Sequence, residues 1–345
     1  MCFLNSYKKK SYKKQFDRER EKMLKPDITI DLGNKNYKMI NSDKRILHSS
    51  SVQEVSNGTF GSFVINGQSY IIGENAKSKK NTNKICESKK ALLGRALYPI
   101  VEDKDKLEIT TLLPLSLYRD MENRKKYKDL LKGKYSVTNP DGATKTFTIT
   151  DVEVCAESFS SLLTDETLLK DPLYLVDIGG VDTSGVYVNK TPDMQASFTS
   201  EKGMNVFFSE LAKELTSTLL DSYREKDAEL VFEKYDTLPD NIKSIVDTFS
   251  ENYVKENIYE ELKDAGYKPL IHKLIFVGGG SKALERYLVK DRENVAVLKD
   301  ALWSNVEGAK IIAIRRGKLA KMNEKKQQSQ SKADKAQANT ESAQA

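Results

Sequence analysis

Cysteine and histidine are scarce in this chain of 345 residues: there are three cysteines, Cys2, Cys86 and Cys155, and two histidines, His48 and His272. Three widely spaced thiols form no CxxC pair and no disulfide framework, so reduced cysteines are expected. Together with the histidines they give no zinc spacing, and no Ser/His/Asp order stands out. Long apolar runs are missing as well. The longest, such as Leu173 to Val176 and Leu274 to Val277, are strand-sized, far short of the ~20 residues a membrane span needs. No apolar segment with a small-residue cleavage site follows the N-terminal lysines, so no secretory signal is read, the cytoplasm is the expected location, and no membrane partner is expected. Walker A and GxGxxG loops are also absent. Chemistry therefore falls to carboxylates, lysines and backbone amides.

Hydrophobic residues at 39% and charged residues at 31% fit a soluble globular chain of about two domains and exclude a wholly disordered or fibrous one. The charge is uneven. Residues 1–26 carry nine Lys/Arg against three Asp/Glu and residues 315–345 carry eight against three, which leaves the middle with 39 against 44. A mildly acidic body thus lies between basic ends, and the net charge of +6 does not mark a basic binding face on the body itself. The segment from Tyr7 to Lys14 interleaves lysines and tyrosines. It fits a solvated extension, an arm for nucleic acid or anionic lipid, or a leader upstream of a start at Met23. The stretch from about Met322 is rich in Gln, Ser, Lys and Ala without apolar periodicity and reads as a disordered tail.

Between these ends, strand-like and helix-like runs alternate, which argues an α/β protein. Strands are expected at Ile28 to Leu32, Tyr37 to Ile40, Lys106 to Leu113, Lys134 to Val137 and Thr146 to Val154, with a hairpin within Gly58 to Gly73 around Asn66-Gly67. Asn139-Pro-Asp-Gly142 reads as a turn. Helices are expected at Ser88 to Leu97, Tyr118 to Leu131, Glu157 to Leu163, Met204 to Tyr223, Asp240 to Ala265, Lys282 to Val289 and Val306 to Ile314.

Three glycine turns after apolar strands carry the chemical information. The first is Ile28-Thr-Ile-Asp31-Leu-Gly33-Asn34-Lys-Asn36-Tyr-Lys38, and the second Leu173-Tyr-Leu-Val-Asp177-Ile-Gly179-Gly180. The third is Leu274-Ile-Phe-Val-Gly278-Gly279-Gly280-Ser281, which leads into a helix. Glycine lets backbone N–H donors approach a phosphate with no Cβ in the way. An acid at the mouth of each of two hairpins suits a hydrated Mg²⁺, which keeps several waters and takes few carboxylates. Each turn alone is a common tight turn; the ordered set of three is far more specific.

That set resembles the superfamily of actin, sugar kinases and heat-shock chaperone ATPases, and within it the bacterial plasmid-segregation actins of the ParM (StbA) type. The resemblance spans roughly residues 27–315. It takes in Ile72-Gly-Glu-Asn-Ala76, Thr111-Leu-Leu-Pro-Leu115, Val152-Glu-Val-Cys-Ala-Glu157-Ser158, Gly203 opening a helix with Lys213-Glu214, and Val306-Glu-Gly308-Ala. It implies an actin-like α/β fold of two domains, each built on a ribonuclease-H-like sheet, with nucleotide in the cleft between them. The implied divisions are 1–26 as a basic extension, 27–165 as domain I with a smaller insert at about 44–96, 166–305 as domain II with a helical insert at about 204–270, 306–320 as a helix returning to domain I, and 321–345 as a tail.

The resemblance also assigns residues. Asp31, Gly33, Asn34, Asn36 and Lys38 fall on the first phosphate hairpin, and Asp177, Gly179 and Gly180 on the second. Gly278, Gly279, Gly280 and Ser281 fall on the adenosine loop, while Gly203, Lys213 and Glu214 fall on the helix that holds base and ribose. Glu157 takes the place of the residue that positions the attacking water, although an acid at a helix start also suits the helix dipole. Asp31 and Asp177 hold Mg²⁺ through water. Val181 and Asp182 depart from the family, which often has small hydroxyl residues there, and an acid beside phosphates repels them unless it faces solvent or joins the metal site.

The implied activity is hydrolysis of Mg-ATP or Mg-GTP coupled to a head-to-tail filament of the chain itself, which moves plasmid DNA through a DNA-binding adaptor at a centromere, with no sequence-specific nucleic-acid binding of its own. A small-molecule kinase of the sugar-kinase type is the alternative. It needs an aspartate base beside a sugar hydroxyl, and the cysteine-rich zinc motif of compact bacterial sugar kinases is missing. A chaperone would need an extra peptide-binding domain, and a DNA-binding module would need its basic residues on the body and not in the tails.

Overall fold

The structure, a computed structural model, describes residues 28–42, 44–77 and 83–317. The basic segment 1–26 and the tail 321–345 lie outside the described residues. The first sheet has nine strands: β1 Ile28–Asp31, β2 Asn36–Asn41, β3 Lys44–Ser49, β4 Val52–Val55, β5 Phe63–Ile65, β6 Gln68–Ile72, β7 Asp105–Leu113, β8 Gly133–Thr138 and β9 Thr144–Ala156, in the order β3-β2-β1-β7-β9-β8-β5-β6-β4. On one face of it pack two helices, α1 Glu87–Leu97 and α3 Met121–Leu131, with the short α2 Leu115–Tyr118 between them in sequence. Ala91, Leu92, Leu93, Ala96 and Leu97 of α1 meet Ile28, Ile30, Tyr37 and Met39 there.

The second sheet contains β10 Leu173–Ile178, β11 Thr183–Asn189, β12 Thr191–Ser200, β13 Lys273–Val277 and β14 Val295–Val297, in the order β12-β11-β10-β13-β14. Its helices are α4 Met204–Leu219, α5 Glu225–Glu233, α6 Asp240–Val254, α7 Glu260–Asp264, α8 Gly279–Ala283 and α9 Glu285–Leu288. A single π-helical turn, Lys255–Tyr259, joins α6 to α7, so the expected helix from Asp240 to Ala265 is continuous. Strands β10 and β13 are buried on both faces. Tyr174, Val176, Ile178, Leu274 and Phe276 point to the α4 side, while Leu173, Leu175, Ile275 and Val277 meet Leu162 and Leu168 on the other. A parallel pair covered on both faces explains why these strands read as unbroken apolar runs.

The two sheets repeat one layout. A central strand (β1 or β10) carries an antiparallel meander on one side (β2-β3 or β11-β12) and a parallel neighbour on the other (β7 or β13). The mixed α/β character is as the sequence pattern led us to expect, and the two similar sheets are as the resemblance implied. Several elements differ in detail. The expected helix from Glu157 is absent: β9 runs to Ala156, and a 3₁₀ segment, Phe159–Thr164, follows a tight turn. The helix from Met204 stops at Leu219 because Leu220 takes a left-handed conformation, φ 54°. Strands β3, β4 and β12 and helix α5 were not expected. Strand β3 (KRILHS) is mostly exposed and carries no clean alternation, and α5 (EKDAELVFE) buries only Ala228 and Phe232.

Residues 304–317 form a last helix, α10, which crosses back to the open face of the first sheet. Val306 and Ala309 pack on Ile40, Leu112 and Cys155. Arg45 of β3 clamps its start, reaching Asp300 at 2.6 Å and Glu307 at 2.9 Å and lying 5.2 Å from the Trp303 ring. Gly308 approaches the Ser160 carbonyl so closely that a Cβ would fall on backbone. Helix propensity alone favours alanine over glycine by ~1 kcal/mol, whereas overpacking costs ~1–3 kcal/mol. A carbonyl cannot swing aside as a side chain can, so Gly308→Ala should destabilise the protein by about 1 kcal/mol or more. Urea denaturation checks the sign: a higher midpoint for the variant would mean that the helix shifts freely.

Candidate functional site

The C-terminal ends of β1, β9, β10 and β13 converge on one cavity of about 600 Å³ between the two sheets. Crevices of this kind, beyond the carboxyl ends of parallel strands, are the usual ligand sites of α/β sheets. Asp31, Gly33, Asn34, Asn36, Lys38, Asp177, Gly179, Gly180, Gly278, Gly279, Gly280 and Glu157 all line it.

Asp31 ends β1 and faces Lys38 across the β1–β2 pair. Its Oδ2 accepts from Lys38 Nζ at 3.3 Å, but Oδ1 is buried without a partner, as is Asn34 Oδ1. Burial by itself would raise the Asp31 carboxyl, yet Lys38, Lys84 and Lys89 outweigh it and hold the group below its ordinary value. An ionised carboxylate with an orphaned oxygen is a site that needs donors or a cation. A hydrated Mg²⁺ supplies both, so the residues present fit the ion. Among the described residues no cluster of three or more His, Cys, Asp or Glu side chains forms a direct metal cage.

Asp177 occupies the corresponding place on β10. Its Oδ2 accepts from Asn305 Nδ2 at 2.7 Å and from Ser158 Oγ at 3.1 Å. Burial raises its carboxyl; Asn305, Lys38 and Ser158 pull it back, and Asp182 pushes it further up. Gly278 packs beside Asp177 with φ at +89°, and neither the conformation nor the space admits a side chain. The N–H groups of Met204 and Asn205, at the start of α4, donate to the carbonyls of Gly179 and Gly180 at 3.1 and 2.8 Å and so brace the second hairpin.

Glu157 does not open a helix. It precedes Ser158, whose φ of 62° and ψ of −63° make a γ-turn, closed by the Phe159 N–H on the Glu157 carbonyl at 2.7 Å. A turn of this kind costs ~1–3 kcal/mol and persists where the surroundings hold it. Here Asn305 holds it, accepting from the Ser158 N–H at 3.0 Å. The turn aims the Glu157 carboxylate into the cavity and the Ser158 hydroxyl at Asp177. Glu157 Oε1 pairs with Lys84 Nζ at 3.3 Å. Burial pushes the Glu157 carboxyl up to about 7 against the pull of Lys84, with Asp31, Asp177 and Asp182 adding to the rise. Lys84 is itself buried, and Glu157, Asp31 and Asp182 hold it charged against that burial.

Four expected site residues, Lys213, Glu214, Ser281 and Gly203, do not line the cavity. Lys213 and Glu214 are exposed and do not line the cavity, because α4 turns Met204, Phe207, Phe208, Leu211, Ala212 and Leu215 inward. Ser281 is fully buried and spends its hydroxyl on the Val277 carbonyl, so it braces the third glycine loop from behind. Gly203 caps α4 behind the second hairpin, where a Cβ would lie 2.5 Å from the Val181 carbonyl carbon. Asp182 faces the cavity and not open solvent.

Sequence reasoning missed Lys84, Ser158 and Asn305. It also missed Lys89 of α1, whose Nζ donates to the carbonyls of Leu32 and Gly33, both at 2.8 Å, and fixes the first hairpin from below. Burial lowers the Lys89 ammonium to about 7, and Lys84 beside it adds to the effect. Lysines outside a glycine motif read as solvated charge; the one available hint is that Lys89 falls on the apolar face of α1.

Residues 29–159 match the family model for the N-terminal domain of actin-like proteins. No curated protein matches the sequence. Among solved structures, the actin-like protein Alp7A is 17% identical and superposes with a TM-score of 0.73 over 87% of this chain and 98% of its own. Ta0583, an archaeal actin homologue solved in complex with ADP, is 20% identical with a TM-score of 0.64 over 84% of this chain and 99% of its own. The ParM protein of a 15-stranded filament from Clostridium botulinum is 18% identical with a TM-score of 0.61 over 84% and 99%. Residues 29–159 thus match the N-terminal domain of actin-like proteins, and the described chain has the actin-like fold.

Proposed function

We propose that the chain binds Mg-ATP or Mg-GTP between its two sheets and hydrolyses it while assembling head-to-tail into filaments. One observation carries the reading: two acid-ended hairpins, repeated in the same sheet layout, face each other across one cavity with a glycine loop at its third side. Gly33, Asn34, Asn36, Lys38, Gly179 and Gly180 would hold the phosphates with backbone donors and one ammonium. Gly278, Gly279 and Gly280 would lie against the nucleoside. Asp31 and Asp177 would hold Mg²⁺ through its waters, and the bound ion would neutralise charge on the phosphate oxygens. Glu157, fixed by Lys84 and the γ-turn, orients and polarises a water and takes its proton on the carboxylate.

In this reading the halves 27–165 and 166–305 are the bodies that move, the insert at about 44–96 and the helices at about 204–270 are their outer parts, and the helix from 306 to 320 links back to the first half. A head-to-tail contact need not close, so identical protomers give an open filament. Resemblance to the ParM type supports plasmid segregation in the cytoplasm through a DNA-binding adaptor. The relatives support each half of the proposal: Ta0583 was solved with ADP, and the Clostridium botulinum ParM as a filament.

Asp177→Ala should weaken Mg-nucleotide binding at least tenfold, about 1.4 kcal/mol, in a calorimetric titration, because the second hairpin loses its hold on the metal's waters. Asn305→Ala should weaken it less, since Ser158 still reaches Asp177. Equal affinity in wild type and Asp177→Ala would remove this residue from the site.

Glu157→Gln should bind nucleotide and lose ~10² or more in turnover. The working form is the ionised carboxylate, and burial has lifted the group to about 7, so wild-type phosphate release should rise as the pH climbs through that value. The variant should lack the rise. Light scattering and pelleting with Mg-ATP or Mg-GTP should reveal filaments above a critical concentration that shrink as nucleotide is consumed, and Glu157→Gln filaments should persist. A chain that stays monomeric with both nucleotides and phosphorylates a sugar would be a kinase instead.

A further inference from the structure

Between Asn34 and Asn36, in the tip of the first hairpin, stands a residue with no role in the motif. Lys35 reaches out of the first half of the molecule and touches three elements of the second. Its stem lies on the second hairpin, where a Cβ at Gly180 would be 2.5 Å from Lys35 Cβ and 2.9 Å from its Cδ. Its Nζ lies 5.3 Å from the centre of the Phe208 ring on α4. The same Nζ pairs with Glu229 of α5 at 2.7 Å. Both charged side chains retain 33% of their exposure, and both line the cavity. At its base Lys35 is fixed, since its carbonyl accepts from the Ser50 N–H at 2.9 Å.

We propose that Lys35 is a cleft-spanning positioning residue with two competing partners, the Glu229 carboxylate and the outer phosphates of a nucleoside triphosphate. The inference rests on the nucleotide-binding reading above and adds the coupling to it. Lys35 sits in the turn that would carry the phosphates, so its ammonium cannot serve both anions at once. A part-exposed ion pair is weak, worth a few-fold in an equilibrium at most. A polyphosphate in a partly closed cavity presents more negative charge than one carboxylate and binds an ammonium more strongly. Arrival of the phosphates therefore draws Lys35 off Glu229 and releases α5 from the first hairpin. That release is a change in what crosses the cleft, tied to the presence of the outer phosphates and not of the base. Gly180 is the permissive element: any side chain there would displace the Lys35 stem.

The two partners make opposite predictions for the two residues. With Mg²⁺ and a non-hydrolysable ATP or GTP analogue as the probe, Lys35→Met should bind about tenfold more weakly, because a phosphate contact is lost. Glu229→Gln should bind about threefold more tightly, because the competing partner is gone. The double variant should bind like Lys35→Met alone, and Lys35→Arg should stay within about twofold of wild type. A pair that merely supports the fold would weaken binding on either substitution and lower the melting temperature of both, so the opposed signs are specific to competition. If wild type binds neither analogue, the nucleotide reading and this one both fall. If wild type binds and Glu229→Gln weakens binding, leaves it unchanged, or still tightens it when Lys35 is absent, only the proposed exchange is overturned.

Discussion

Among the carboxylates that line the cavity, Asp31, Asp177 and Asp182 all act on Glu157, and the surrounding structure is arranged to hold that charge. Like charges at short range in a poorly solvated space repel, and each also loses hydration. Three lysines answer them unequally. Lys38 meets Asp31 directly, and Lys84 is kept charged between Glu157 and Asp31. Lys89 faces carbonyls in place of a carboxylate, and burial beside Lys84 draws its ammonium down to about 7. The outcome is a divided set: Asp31 is held ionised while Glu157 and Asp177 are lifted. Acids whose environments push them apart suit different tasks, one as an anchor for a cation and another as a proton acceptor near neutral pH.

The repeat of one sheet layout explains how two acids come to oppose each other. In each half the acid ends a central strand, a short hairpin turns away, and a parallel neighbour closes the other side. The halves are not symmetric in what supports them. The first acid is braced from α1 through Lys89 and the Leu32 and Gly33 carbonyls. The second is braced from α10, because Asn305 binds both Asp177 and the strained turn at Ser158. That helix packs Val306 and Ala309 on the first sheet, so a residue that orients the second acid is anchored in the first half. Orientation of the second acid and packing across the molecule are thereby the same contact.

Much of this was legible in the sequence, for a physical reason. A strand buried on both faces has to be a run of apolar residues, an acid ending such a run requires a partner, and a glycine behind it marks a place where backbone comes close. Those rules located Asp31, Asp177 and Gly278–Gly280 in the cavity. They failed where position depends on helix phase or on irregular backbone. Lys213 and Glu214 follow the motif in spacing, but α4 turns that side of its surface to solvent. Helix α5 was invisible because seven of its nine residues need no burial, yet it delivers Glu229 to the cleft. Glu157 was found by resemblance, while the γ-turn that aims it has no signature in residue type, since serine seldom adopts a positive φ.

The contacts that cross the cavity bear on how such a molecule transmits a local change. The two halves meet closely at the floor, through Ser158, Asn305 and Asp177, where the bonds are short and the groups buried. At the mouth they meet through Lys35 and Glu229, part-exposed and weak. If the halves rotate as proposed, the buried floor would be the hinge and the mouth its gap, because the long, part-exposed side chains at the rim can accommodate a change of angle. Packed cores resist continuous deformation, so motion concentrates where the contacts are few and solvated. A ligand seated between floor and rim then acts on the one place where the relative angle of the halves is cheaply altered. In the proposed filament, that angle would set whether surfaces far from the cavity match those of the next protomer.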